Sequence, residues 1–168
     1  MVALALTVCF WVVDPVHTSL SYKSNIADAI AQVRHEVTPG SLVLTTQPEQ
    51  VPTAKYYLPA GLRYGTPLGP VADPSVVDWR NALALLRRSS VRRVLMPMVD
   101  SLSSGQRVVL IVPLRLQPSP LWLQLIKRDS GRWAHALERD PLLRQVAQSS
   151  AGAGGSGVPV QVTVFAHR

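Results

Sequence analysis

Apolar positions Ile26, Ala29, Ile30, Val33 and Val37 recur every three or four residues, the spacing of one face of a helix. The pattern predicts an amphipathic helix over 24–37, stopped by Pro39-Gly40. Leu42, Val43 and Leu44 then form a short continuous apolar run, as expected of a strand covered on both faces in a parallel sheet. Polar residues follow from Thr45 to Gln50, and Pro48 opens a predicted second helix over 49–58, where its missing N–H costs little. Pro59-Ala60-Gly61 ends that helix, and 62–66 reads as a second strand. Asp73 as N-cap with Pro74 at the first helical position predicts a third helix, which Val76, Trp79, Leu83 and Leu86 carry to Arg88.

The stretch 91–102 fits two templates. Val94, Leu95 and Met96 suit a strand, whereas Val91, Val94, Leu95, Met98, Val99 and Leu102 form a longer helical stripe with Gly105 in a capping position. Helix is the reading adopted, with Pro97 against it unless it lies in the first turn. Residues 108–112 form the clearest strand, ended by Pro113. Trp122, Leu125, Ile126, Trp133 and Leu137 mark a helix over 121–138 with a bend expected at Ser130-Gly131, and Asp140-Pro141 begins another. Residues 152–157 read as a flexible linker. The end of the chain alternates, with Val158, Val160, Val162 and Val164 on one face and Gln161, Thr163 and Phe165 on the other. Interleaved helices and strands point to a three-layer α/β fold with a small, mostly parallel sheet of about four strands and an antiparallel C-terminal edge strand.

The first thirteen residues form an uncharged apolar run, shorter than the about 20 residues that cross a bilayer. They are read as the end of a transmembrane helix, with Trp11 at the interface. A signal peptide is a weaker alternative, because Asp14-Pro15 provides no cleavage site; a buried strand or core helix is a third. The domain organisation expected is thus 1–13 membrane segment, 14–21 linker, and 22–168 an extracytoplasmic α/β domain with the Gly-rich linker at 151–157.

A hydrophobic content of 47% with 16% charged residues argues for a folded chain. The net charge of +7 invites an anionic partner, but the arginines are scattered without aromatic interleaving, so no nucleic acid is expected. Arg87, Arg88, Arg92 and Arg93 suit either lipid phosphates or a solvated helix face. Cys9 is the only cysteine and the four histidines lack ligand spacing, so no metal is expected. The glycines after Ala151 lack the Lys and Ser or Thr of a phosphate loop, and no nucleophile elbow or zinc helix occurs. No cofactor and no catalytic residue follow from these patterns.

What remains is a group of polar residues at predicted strand ends. Thr45, Thr46, Gln47, Glu49 and Gln50 follow the first strand, where open α/β sheets bind ligands, and Tyr64 and Thr66 lie in the second. Capping of the next helix accounts for the first group at lower cost. Asp78, Trp79 and Arg80 could together stack on and hydrogen-bond a sugar; alternatively Trp79 belongs to its helix's apolar stripe and Asp78 serves the helix dipole.

Several strings resemble the C-terminal region of bacterial integral-membrane glycosyltransferases of the GT-C class, which are mannosyltransferase-like and use polyprenyl-phosphate-linked sugars. They run from Leu42 through Thr45, Gln47 and Glu49 to Pro52, from Tyr56 to Pro59, from Asp78 to Arg80, and from Gly105 to Pro113. The resemblance implies an accessory extracytoplasmic domain at the cell membrane whose missing N-terminal transmembrane bundle holds the chemistry. Its implied partners are that bundle, the membrane, and a polyprenyl-phosphate sugar or glycan acceptor. The candidate substrate contacts are Thr46, Gln47, Glu49, Gln50, Asp78, Trp79 and Arg80. A free-standing, non-catalytic binding or structural α/β module is the alternative.

Overall fold

In a computed structural model describing residues 25–116, 120–150 and 158–168, the first apolar stripe becomes helix α1, Ile26–Val33. Its Ile26, Ala29, Ile30 and Val33 are buried, as a one-sided stripe requires. A 3-10 turn, Arg34–Glu36, closes it, and Glu36 pairs with Arg107. The apolar run after Gly40 is β1, Leu42–Thr45, buried at every position. Helix α2, Val51–Tyr57, follows a 3-10 turn at Pro48–Gln50, and β2, Arg63–Thr66, returns parallel to β1.

Among the described residues six strands form one sheet, more than the about four expected. The additional ones are β3, Gly69–Val71, and β5, Leu143–Gln148; β4 is Arg107–Pro113 and β6 is Val160–His167. The order is β3-β2-β1-β4-β6-β5, with β1 parallel to β2 and β4 and the other pairings antiparallel. The sheet is therefore mixed rather than mostly parallel. The C-terminal strand is antiparallel, as expected, but it lies inside the sheet. Val160, Val162 and Val164 pack on one face while Phe165 fills the other, so the alternation marked two buried faces and no solvent side.

Strand β5 stands where Asp140-Pro141 had suggested a helix. The Asp140 carboxylate instead accepts from the Leu142 N–H at 2.9 Å, a local turn that competes with helix initiation and feeds an extended segment. The same device shortens the third helix. Asp73 accepts from the Ser75 N–H at 2.8 Å and Asp78 from the Arg80 N–H at 2.9 Å, so 73–80 is a chain of turns. Only after Asn81, which sits in the left-handed region at φ 58°, does α3 run, from Ala82 to Arg88.

Residues 91–102 hold a π-helical turn, Val91–Leu95, leading into α4, Met96–Val99. Pro97 explains the widening: it has no N–H for the carbonyl four residues back, and its ring would collide with that carbonyl. Helix α5 then runs unbroken from Leu121 to Arg139, with no interruption at Ser130-Gly131.

Three layers result. Ile30 and Val51 cover the sheet face carrying Val43, Val109 and Val164; Leu95, Met98, Trp133 and Leu137 cover the face carrying Leu44, Leu110 and Phe165. Among the described residues no helix is long and apolar enough to cross a membrane. The expected membrane segment at 1–13, the linker at 14–21, Cys9 and the Gly-rich stretch at 151–157 lie outside the described residues.

Candidate functional site

Parallel neighbours on both sides of β1 create a crevice beyond its carboxyl end, because the chain leaves β1 toward β2 while β4 lies on the other side. Five of the polar residues singled out from the sequence stand here. Thr46 extends the pairing, its N–H donating to the Ile111 carbonyl at 3.2 Å. Its hydroxyl lies 2.6 Å from that of Ser130, and the Ser130 hydroxyl donates to the Ile126 carbonyl at 2.8 Å. Gln47 is extended and begins the turn into Pro48–Gln50; its Nε2 donates to Glu49 Oε1 at 2.6 Å.

Helix capping does not account for these side chains. Gln47 and Gln50 stand immediately before the 3-10 turn and α2, yet neither makes a side-chain bond to the helix start. Four oxygens here, Thr45 Oγ1, Gln47 Oε1, Glu49 Oε2 and Gln50 Oε1, are buried without a protein hydrogen-bond partner. Leaving such a group unmet costs about 1–3 kcal/mol, and folded proteins hold few of them, so four within six residues is a concentration.

The second predicted group is dispersed. Asp78 and Arg80 pair at 2.7 Å on an exposed turn, and the guanidinium beside Asp78 holds its carboxyl down to about 2. Both line a cavity of about 360 Å³ together with Pro48, Val51 and Thr66, which places them beside the Gln47–Gln50 turn. Trp79 turns elsewhere: it is 47% exposed, meets Trp122 edge to face at 6.2 Å, and borders a separate apolar cavity with Leu83 and Leu121. Asp78 is not in a helix's first turn and Trp79 is not in a buried stripe, so both structural accounts offered by the sequence fail.

Tyr64 is buried within β2, which pushes its phenol up, and Thr66 is occupied in the β2–β3 hairpin through the Leu68 N–H at 3.1 Å. Sequence reading passed over Asp129 and Ser130. Asp129 is 1% exposed, accepts from Arg128 Nε at 2.8 Å through one oxygen, and leaves the other without a partner. The signal was present as two polar residues inside the buried stripe between Ile126 and Trp133. Among the described residues no three His, Cys, Asp or Glu side chains are grouped to hold a metal ion.

No family model matches the chain, and no curated protein does either. Solved structures similar to it include an O-methyltransferase from Bacillus cereus in complex with SAH, 12% identical, with 84% of this chain and 80% of that chain covered and a TM-score of 0.40. Another is a proposed O-methyltransferase from Klebsiella pneumoniae, 13% identical, covering 86% and 80%, with a TM-score of 0.35. These distant likenesses assign no activity to this chain. The glycosyltransferase expectation is corrected: no family model and no curated protein matches, and neither of the two solved structures is a GT-C enzyme. The accessory role, the polyprenyl-phosphate chemistry and the extracytoplasmic cell-membrane location are withdrawn with it, and the alternative of a non-catalytic module gains no support.

Proposed function

We propose that the chain binds a small molecule rich in hydrogen-bond donors, hydroxylated or cationic, beyond the carboxyl end of β1, with Gln47, Glu49 and Gln50 as its acceptors and Thr46 shaping the floor. The observation that carries this reading is the set of four buried oxygens without protein partners at one strand end. Three are acceptors only and Thr45 supplies a hydroxyl, so the ligand that satisfies them offers O–H or N–H groups and not phosphate oxygens. Chain chemistry agrees with this. No glycine lies between Leu42 and Leu58, so the backbone cannot approach a pyrophosphate as closely as a Gly-rich turn permits. Recognition therefore falls to side chains. Glu49, with one carboxylate oxygen engaged by Gln47 and the other free, has the arrangement needed to receive a proton or hydrogen bond from a ligand hydroxyl.

The test is ligand-observed and amide-detected NMR with nucleosides, monosaccharides, simple amines and S-adenosylhomocysteine. The expected result is that one class perturbs the amides of Thr46 to Val51 and that the Gln47→Ala/Glu49→Ala double variant loses the effect while keeping its melting temperature. A double variant that melts earlier yet binds unchanged would overturn the reading, as would a panel in which nothing binds.

A further inference from the structure

The opposite edge of the sheet carries a second recess. It has a volume of about 280 Å³ and lies between the amino ends of β1 and β2 and the π turn with α4. Its walls are mainly apolar, formed by Leu42, Val94, Pro97 and Met98, with Arg63 and Arg93 also lining it and no carboxylate among its lining residues. We propose that this recess binds a small organic anion, a carboxylate or phosphate monoester carrying a compact apolar body.

Arg63 is positioned before any ligand arrives. Its Nη1 donates to Ser101 Oγ at 3.0 Å, its Nη2 to Gln106 Oε1 at 3.4 Å and its Nε to the Gly40 carbonyl at 3.4 Å. All three acceptors are neutral, so the guanidinium is held in place while its charge stays uncompensated. Arg93 makes no ion pair either, since the ion pairs among the described residues join His35, Arg80, Arg107 and Arg128 to acids elsewhere. Guanidinium groups match carboxylate and phosphate geometry, and a charge beside a low-dielectric wall attracts an anion more strongly than one surrounded by water. The widened turn imposed by Pro97 contributes Arg93 and Val94 to the lining, and the apolar walls select against a bare ion.

The experiment titrates the full chain with phenyl phosphate, with inorganic phosphate and with benzyl alcohol, by calorimetry at low salt. Phenyl phosphate is expected to bind at least tenfold more tightly than either of the others, and Arg93→Glu to weaken it about tenfold or more without changing the melting temperature, consistent with loss of one charge-assisted bond. Arg63→Gln provides a second check, with its melting temperature measured beside its affinity. Equal affinity for phenyl phosphate and inorganic phosphate, equal affinity for phenyl phosphate and benzyl alcohol, or unchanged binding in a folded Arg93→Glu variant would each overturn the proposal.

Discussion

Thr46 Oγ1 and Ser130 Oγ lie 2.6 Å apart, both buried, and join the end of β1 to the middle of α5 across 84 positions of sequence. The contact sets the helix against the strand end where the unpartnered oxygens gather. Thr46→Val keeps the shape and removes the hydroxyl, while Ser130 retains the Ile126 carbonyl. A loss of about 1 kcal/mol is expected, the usual net worth of one neutral hydrogen bond, read as a lower denaturation midpoint at unchanged slope. An unchanged midpoint would show that the contact contributes nothing.

Arg128 ties α5 to the end of α3. It pairs with the buried Asp129, donates to the Leu86 carbonyl at the end of α3 at 2.7 Å, and reaches the Ser89 carbonyl. Arg128→Ala leaves Asp129 in the interior without its cation, a change that costs roughly 3–5 kcal/mol for a fully buried pair and falls toward the lower end here because Arg128 is partly exposed. The Arg128→Ala/Asp129→Asn double variant should recover part of that loss. Thermal melts of the two single variants and the double variant decide it: additive losses would mean that the two groups act independently.

How much of this was legible in the sequence depends on whether neighbours or local chemistry decided each element. Ile26 to Val33 and Leu121 to Arg139 have one-sided stripes; the first formed a helix inside the stretch predicted, and the second overrode the bend expected at Ser130-Gly131. At Asp73, Asp78 and Asp140 the same residues that start helices closed turns on the N–H two positions on, a competition that sequence spacing does not resolve. Strand β6 alternated like an edge strand, yet β5 covers its other side, and that partner was itself hidden behind Asp140-Pro141. The candidate site was half legible. The Gln47, Glu49 and Gln50 cluster could be placed at a strand end from pattern alone, but whether those side chains cap a helix or stand free depends on their rotamers, which only coordinates show. Ser130 entered the site from a helix more than eighty residues away, beyond the reach of any local motif.

Acid titration should separate Asp78 from the other exposed carboxylates. The Arg80 side chain, then its backbone N–H, stabilises the charged form of Asp78 and brings its pKa from 3.8 to about 2. A lowered folded pKa means that the associated stability is present above the unfolded value and is lost as the pH falls through the folded one, here between 3.8 and about 2. Because the pair is exposed, the effect is expected in the titration curve more than in the melting temperature. Carboxyl carbon NMR should give a midpoint near 2 for Asp78, rising toward its ordinary value in Arg80→Ala. The same midpoint in both proteins would sever the link.

Gly65 is the position where one added methyl group should report on the second recess. A Cβ there would stand 2.5 Å from Met98 Sδ, closer than packed atoms allow, and in tight contact with Met98 Cε at 3.1 Å and Leu44 Cδ2 at 3.0 Å. All three are distal atoms of flexible side chains, and Met98 borders the recess, so it has room to move outward. Gly65→Ala is therefore expected to cost about 1–3 kcal/mol, toward the smaller figure, and not to prevent folding. In a Met98→Ala background the same substitution should cost less, because the obstructing sulfur is gone and only the contact with Leu44 Cδ2 remains; the difference between the two backgrounds measures the Met98 contact directly. Displaced Met98 would fill part of the recess, so Gly65→Ala should also weaken phenyl phosphate binding while leaving the amides of Thr46 to Val51 undisturbed. If the cost were the same in both backgrounds, the strain would have to arise at Leu44, and the recess would keep its affinity.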